Sequence, residues 1–281
     1  KQKNFSLSTV IPALAPVYPF MEGRRMPARV QYSLFCLCLL LAIFQIFPGA
    51  AAETGIDHEQ QYRACIALTY RAPWQAFEAA ETWAGKDGGP AARHCAAMAL
   101  LEAKQYVRAA ERLEALASEL PADHFPTLGD VLAQAANVWL LGERPKLALQ
   151  AIELALQYDP HKAIYLVDRG RIQAELGDHA AALADLDRAL ALDGTDDDAA
   201  AFRASALRHL GRLQAAMTAI QHALALNPGN PSARLEQGIL RQQLGDPKGA
   251  RADWLRTVKE HSGTPAADAA RIRLQQMQLK K

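Results

Sequence analysis

Three consecutive stretches, residues 163–196, 197–230 and 231–264, superpose without a gap at a spacing of 34 residues. Gly170, Ala204 and Gly238 fall at one position of this frame. Gly177, Gly211 and Gly245 fall at another, each preceded by a leucine (Leu176, Leu210, Leu244), and Ala182, Ala216 and Ala250 fall at a third. Ala189 and Ala223 match as well, with Thr257 in the third copy, and the copies end in Gly194, Pro228 and Ser262. A fixed period of this length specifies a repeat array, because a unit so small cannot bury its own apolar faces and must stack on its neighbours.

Each copy reads as two helices. In the first copy they span about 163–176 and 180–192, with Gly177 ending the first in the left-handed conformation that glycine adopts without strain. Asp178 and Asp246 follow the turn as capping residues. Gly170 on one helix and Ala182 on the other leave room for the two backbones to approach. Large apolar residues fill the remaining space: Leu166, Leu183, Leu186 and Leu190, then Leu207, Ile220 and Leu224, then Leu240, Trp254 and Val258. This pattern of small residues, aliphatic or aromatic fillers and a closing turn residue resembles the tetratricopeptide repeat (TPR). The resemblance implies an all-α fold, a right-handed superhelix of antiparallel helix pairs.

Upstream of the three clear copies, 128–160 reads as a further unit with Ala135, Gly142, Ala148, Ala155 and Pro160. Its turn, Gly142-Glu143-Arg144-Pro145, is read as one residue longer than the later ones. Two divergent units are read at 57–89 and 90–123, so that 53–127 is a divergent N-terminal part and 128–264 the TPR units proper. Residues 265–281 form a capping helix, opened by Thr264 and Pro265 and carrying Arg271 and Arg273 on a charged side that suits the end of a solenoid.

The segment ahead of the array reads as an export signal. Arg29 follows Met26, an apolar run covers Leu34–Phe47, Pro48-Gly49 breaks it, and Ala50-Ala51-Ala52 offers small residues for cleavage. The expectation is a signal peptide over 26–52, cleaved ahead of Glu53, in a protein of the bacterial periplasm. An inner-membrane anchor through 31–48 is the alternative, although the run is shorter than the roughly 20 residues a spanning helix needs. Residues 1–25 are expected to be an upstream segment, disordered or untranslated, with Met26, or else Met21, the natural start.

With 281 residues, 50% hydrophobic, 22% charged and a net charge of +1, the chain lacks the basic excess of a nucleic-acid groove, and no nucleic acid is expected as a partner. The eight histidines are scattered, and none forms a paired metal motif with a carboxylate. No glycine-rich phosphate loop or nucleophile elbow is present. Asp196-Asp197-Asp198 is read as charging the first turn of the helix that follows. The expectation is therefore a non-catalytic chain with no cofactor, metal or small-molecule substrate, touching a membrane only through its signal segment.

Function is expected on the surface. In TPR proteins the first helices of successive units line a concave groove, so the resemblance implies a bound protein or peptide segment and a role as scaffold or adaptor in the cell envelope. The alternative is an accessory subunit or divergent domain of an envelope enzyme. The groove residues it implies are Trp139, Val167, Arg171, Ser205, Arg208, Leu235, Ile239 and Gln242, with Arg171, Arg208 and Trp139 as the main anchors. Further lining is implied at His94, Met98, Leu101, Leu132 and Ala136. The Lys/Asn clamp by which some TPR domains hold chaperone C-termini is missing. Cys65 and Cys95, the two cysteines beyond the signal segment, lie on first helices of successive units, neighbours in a TPR stack. They are expected to form a disulfide, with two buried thiols as the alternative.

Overall fold

The computed structural model describes residues 58–120 and 126–279. The signal segment, its cleavage site and residues 1–25 lie outside the described residues. The described chain holds thirteen helices and no strand: α1 His58–Thr69, α2 Pro73–Ala84, α3 Gly89–Glu102, α4 Tyr106–Glu119, α5 Leu128–Leu141, α6 Pro145–Tyr158, α7 Ala163–Glu175, α8 His179–Leu192, α9 Asp197–His209, α10 Leu213–Leu226, α11 Pro231–Gln243, α12 Pro247–Glu260 and α13 Pro265–Gln278. They form six antiparallel pairs and a final single helix, the layout of an all-α solenoid. Each helix packs on the one before and the one after it, so the core is continuous from α3 into α11.

The boundaries follow from local chemistry. Asp178, Asp196, Asn230, Asp246 and Thr264 are N-caps, each accepting the backbone amide three residues on. Thr127 and Asp130 form a reciprocal capping box at the start of α5. Proline stands in the first turn of α2, α3, α6, α11, α12 and α13, where its missing amide costs nothing.

Close helix crossings rest on the small residues. A Cβ on Gly170 would lie 3.3 Å from the Ala182 carbonyl oxygen and 3.0 Å from Leu186 Cγ, so a side chain there would have to press α7 and α8 slightly apart. Ala182, Ala216 and Ala250 are fully buried on the answering helices. Leu235, Ile239, Ala250, Trp254, Ala266 and Ala270 form a second core where α11, α12 and α13 meet.

The turns correct the reading of the 128–160 unit. Gly177, Gly211 and Gly245 take φ of 86°, 75° and 87°, and in the α5–α6 turn it is Glu143, not Gly142, that takes the left-handed conformation, at φ 57°. Glu143 stands 34 residues before Gly177, so this turn has the same length as the later ones and the repeat frame runs unbroken from 129 onward. Glycine at 142 had drawn the sequence alignment of α5 one residue out of step. Lys104 occupies the same left-handed position between α3 and α4, at φ 58°.

Candidate functional site

The array is curved by unequal contact between its two layers. The first helices of neighbouring pairs touch one another, α5 with α7, α7 with α9, α9 with α11 and α11 with α13, whereas the second helices show no comparable contact among the described residues. First helices therefore form the inner face and second helices the outer one. With the repeat frame counted from Ala163, Gln134, Asp168, Phe202 and Glu236 share one position on this face, and Asn137, Arg171, Ser205, Ile239 and Arg273 share another one turn further on.

Polar side chains at these positions bond from one unit to the next. At the N-terminal end, Tyr62 of α1 donates its hydroxyl proton to His94 Nδ1 (2.8 Å), and His94 Nε2–H donates to Gln134 Oε1 on α5 (2.7 Å). His94 is only 6% exposed, and its burial holds the imidazole below its ordinary pKa, against a smaller opposing effect of Gln134. Both ring nitrogens are thus satisfied by the neutral ring. Asn137 Nδ2 then donates to Asp168 Oδ2 (2.9 Å), and Arg171 Nη1 donates to Asp168 Oδ1 (3.1 Å) and Asn137 Oδ1 (3.2 Å). Burial pushes the Asp168 carboxyl up, and Arg171 and Asn137 draw it back. The Arg171 guanidinium lies over the Phe202 ring of α9, 5.4 Å from its centroid. Arg208 of α9 pairs through Nε with Glu236 of α11 and reaches Ser205 Oγ at 3.3 Å. Its Nη2 also donates to His209 Nε2 (2.8 Å), which fixes that ring as neutral. Burial first, then Arg208 and the stacked His179 ring, lower the His209 pKa to about 4.

These placements correct most of the expected groove residues. Trp139 is not on the inner face: with α5 in its true frame, the ring turns toward α4, is 4% exposed, and donates Nε1–H to Glu114 Oε1 (2.9 Å). In the true frame Leu140 takes its place and Asn137 takes that of Ala136, and Leu132, Ala136 and Leu140 are all buried in the core. Val167 is part of the main core, and Leu235 and Ile239 belong to the C-terminal core beside Trp254. They are buried in contacts with neighbouring helices and are not open on the face. Ser205 is buried, while Gln242 keeps part of its surface. Arg171 and Arg208 do stand on the inner face, but not as free anchors. Their side chains are 13% and 11% exposed and are engaged by Asp168 and Glu236, themselves 7% and 9% exposed. Arg169 and Arg203 point the other way, Arg169 forking onto Asp185 (2.6 and 2.7 Å) and Arg203 pairing with Asp187.

Sequence reasoning missed Gln134, Asp168, Phe202 and Glu236. The available signal was their common 34-residue spacing, which carries no common residue type. Cys65 and Cys95 are placed together as a disulfide between α1 and α3, with their Cα atoms 6.2 Å apart. Among the described residues no group of three or more His, Cys, Asp or Glu is arranged to hold a metal ion, and no helix is long and apolar enough to cross a membrane.

Two family models, each described as a tetratricopeptide repeat, match residues 142–208 and 198–230. Residues 142–230 of the chain are tetratricopeptide repeats. Among solved structures, the C-terminal part of a TPR repeat-containing protein from Cytophaga hutchinsonii is similar to this TPR chain over 71% of its length and 78% of its own, at 16% identity and a TM-score of 0.53. YrrB, titled a TPR protein with an unusual peptide-binding site, is matched over 69% of this chain and 98% of its own, with 18% identity and a TM-score of 0.48. MamA is matched over 58% of this chain and 93% of its own, with 17% identity and a TM-score of 0.48. At these identities the likeness concerns the fold. No curated protein matches the chain.

Proposed function

We propose that this TPR protein is a non-catalytic scaffold that holds an extended segment of a protein partner along the inner face formed by α5, α7, α9, α11 and α13. The observation that carries the reading is the polar strip from Gln134 to Arg273, laid out by the repeat frame across five successive first helices. An extended chain presents a backbone donor and acceptor at each residue, about every 3.3–3.6 Å. Gln134, Asn137 and Gln242, each part-exposed, carry amides that can meet those groups in a way that a purely apolar face cannot. Phe202, half-buried between Arg171 and the next unit, supplies an apolar contact for a side chain of the guest.

The scaffold is placed in the periplasm. The apolar leader with its Ala50-Ala51-Ala52 motif supports this, as does a cysteine pair at disulfide geometry, a bond that persists in oxidising compartments. Intact-mass measurement of the expressed chain should find an N-terminus at Glu53; an unprocessed chain held in the membrane fraction would overturn the placement.

The binding face is tested by introducing a photo-crosslinking residue at Phe202, with Tyr158 on the outer layer as the comparison. Capture of a discrete partner from Phe202 and not from Tyr158 supports the reading. Capture from the outer position alone, or equally from both, removes it.

A further inference from the structure

We propose that the outer face of α12 is a docking surface for an anionic phospholipid bilayer, a membrane contact separate from the leader and from the inner face. Lys248, Arg251, Leu255, Arg256 and Lys259 are all exposed. They fall on one side of the helix, within about 140° of arc at 3.6 residues per turn. The opposite side, Ala250, Asp253, Trp254 and Thr257, is buried, and α12 packs chiefly on α11 and α13. Lys248, Arg251 and Lys259 make no hydrogen bond or ion pair among the described residues. Arg256 is paired with Glu260 at the rim of the face (2.9 Å), and the remaining acid of α12, Asp253, turns inward to Arg241 (2.9 Å). The exposed face therefore carries one sign of charge.

That single sign points to the partner. At the frame positions of Lys248, Arg251 and Lys259, α10 carries Gln214, Met217 and Ala225, and α8 carries Ala180, Leu183 and Ala191. The basic row is thus peculiar to α12. Contact with water needs only neutral polar groups, such as the exposed Gln275, Gln276 and Gln278 of α13. From Pro231 to Lys281 the chain carries ten Lys and Arg against five Asp and Glu, whereas 163–230 carries six against nine. Lys248 and Lys259 stand about 16 Å apart along the axis at 1.5 Å per residue, roughly twice the Debye length at physiological salt. They do not converge on one small anion. Spread along an exposed helix, they match the extended field of a sheet of anionic headgroups. Leu255, 42% exposed in the middle of the row, supplies an apolar contact at the headgroup layer. The apolar side of α12 is held in the core, so the helix lies on the bilayer and does not enter it. In the envelope placement proposed above, that bilayer is the one bounding the periplasm, and α12, in the outer layer, leaves the inner face free for its guest.

The test is co-sedimentation of the exported chain with phosphatidylcholine vesicles, made with and without phosphatidylglycerol. Partition should require phosphatidylglycerol and decline as sodium chloride is raised. The triple variant Lys248→Gln, Arg251→Gln, Lys259→Gln should weaken it by about tenfold or more, and Leu255→Ser by several-fold. A second triple variant, Lys86→Gln, Arg144→Gln, Lys146→Gln, removes the same charge at exposed positions away from α12 and should leave partition within about twofold of wild type. All these side chains are exposed, so thermal melts of the variants should match that of wild type, and any leader retained is common to every variant. Equal partition onto phosphatidylcholine alone, equal losses in the two triple variants, or capture of polyglutamate through Lys248, Arg251 and Lys259 while vesicles stay unbound would overturn the assignment. These readouts do not involve the inner face, so vesicle binding with no crosslink from Phe202 would remove the scaffold reading and leave the membrane contact standing.

Discussion

Gly238 of α11 lies against the indole of Trp254 on α12, so closely that a Cβ at 238 would stand 2.7 Å from Trp254 Cδ1 and 2.9 Å from Cε2. In the same place Trp254 Nε1 donates to the Leu235 carbonyl at 3.2 Å. An exposed helical glycine gains up to about 1 kcal/mol on replacement by alanine. Here the sign should reverse. Gly238→Ala is expected to cost about 1–3 kcal/mol through overpacking, read as a lower urea midpoint by tryptophan fluorescence. An unchanged or higher midpoint would mean that α11 and α12 are further apart than described.

Arg171→Ala should be destabilising rather than silent. It leaves Asp168, 7% exposed, without its guanidinium, and breaking a buried pair from one side costs on the order of 3 kcal/mol. The double change Asp168→Asn with Arg171→Met should recover much of that loss, because no lone charge then remains inside. Thermal melts of the three variants check this, and equal losses for the single and double variants would contradict it.

His94 and His209 should make stability fall with acid. Both have folded-state pKa values below the ordinary one, chiefly through burial, and that of His209 is about 4. The unfolded chain takes up protons near pH 6.5, so between about 6.5 and the folded values it binds more protons than the folded chain. Stability is then fully present above about pH 6.5 and declines as pH drops toward about 4. Denaturation midpoints measured across this range should fall less steeply for a His94→Gln, His209→Gln double variant than for wild type.

Reduction of the Cys65–Cys95 bond should loosen only one end of the molecule. The bond joins α1 to α3 across a sequence separation of 30 residues. Closing a loop of that size contributes on the order of 3 kcal/mol. In a solenoid each unit feels mainly its neighbours, so the loss is local. Hydrogen exchange after reduction should rise in α1 and α2 and stay unchanged in α7 to α12.

Glu143→Gly is expected to raise stability by roughly 0.5–1 kcal/mol, since glycine removes the cost of a left-handed backbone at φ 57° that the longer side chain bears. Lys104→Gly should do the same between α3 and α4. A chemical-denaturation comparison with Gly142→Ala separates the effect from a general influence of glycine in the turn.

The repeat frame was legible in the sequence from Gly170, Gly177 and Ala182 and their counterparts, because those positions admit only small residues and the period shows through. In α5 the frame slipped by one. Gly142 has the residue type of the turn, yet the left-handed geometry falls to Glu143, a non-glycine residue that no composition rule selects. The slip turned Trp139 into a groove residue and hid Asn137. The inner face was less legible for another reason. Gln134, Asp168, Phe202 and Glu236 share a place in the frame, but each is matched to its own partner in an adjacent unit, so chemistry at that place changes from copy to copy. Arg171 and Arg208 have carboxylate partners 3 and 28 residues away, and these became evident only with the helices assembled.

Because α13 starts in step with α11, it has the register of the first helix of a further unit. The chain can therefore be lengthened by design. A second helix built on the α12 pattern, joined after Leu279 through a short glycine turn, would meet a partner already oriented for it, and each added pair would carry the row of inner-face side chains one step beyond Arg273. The reach of the receptor toward a longer guest would then be set by the number of units, with no remodelling of those already present.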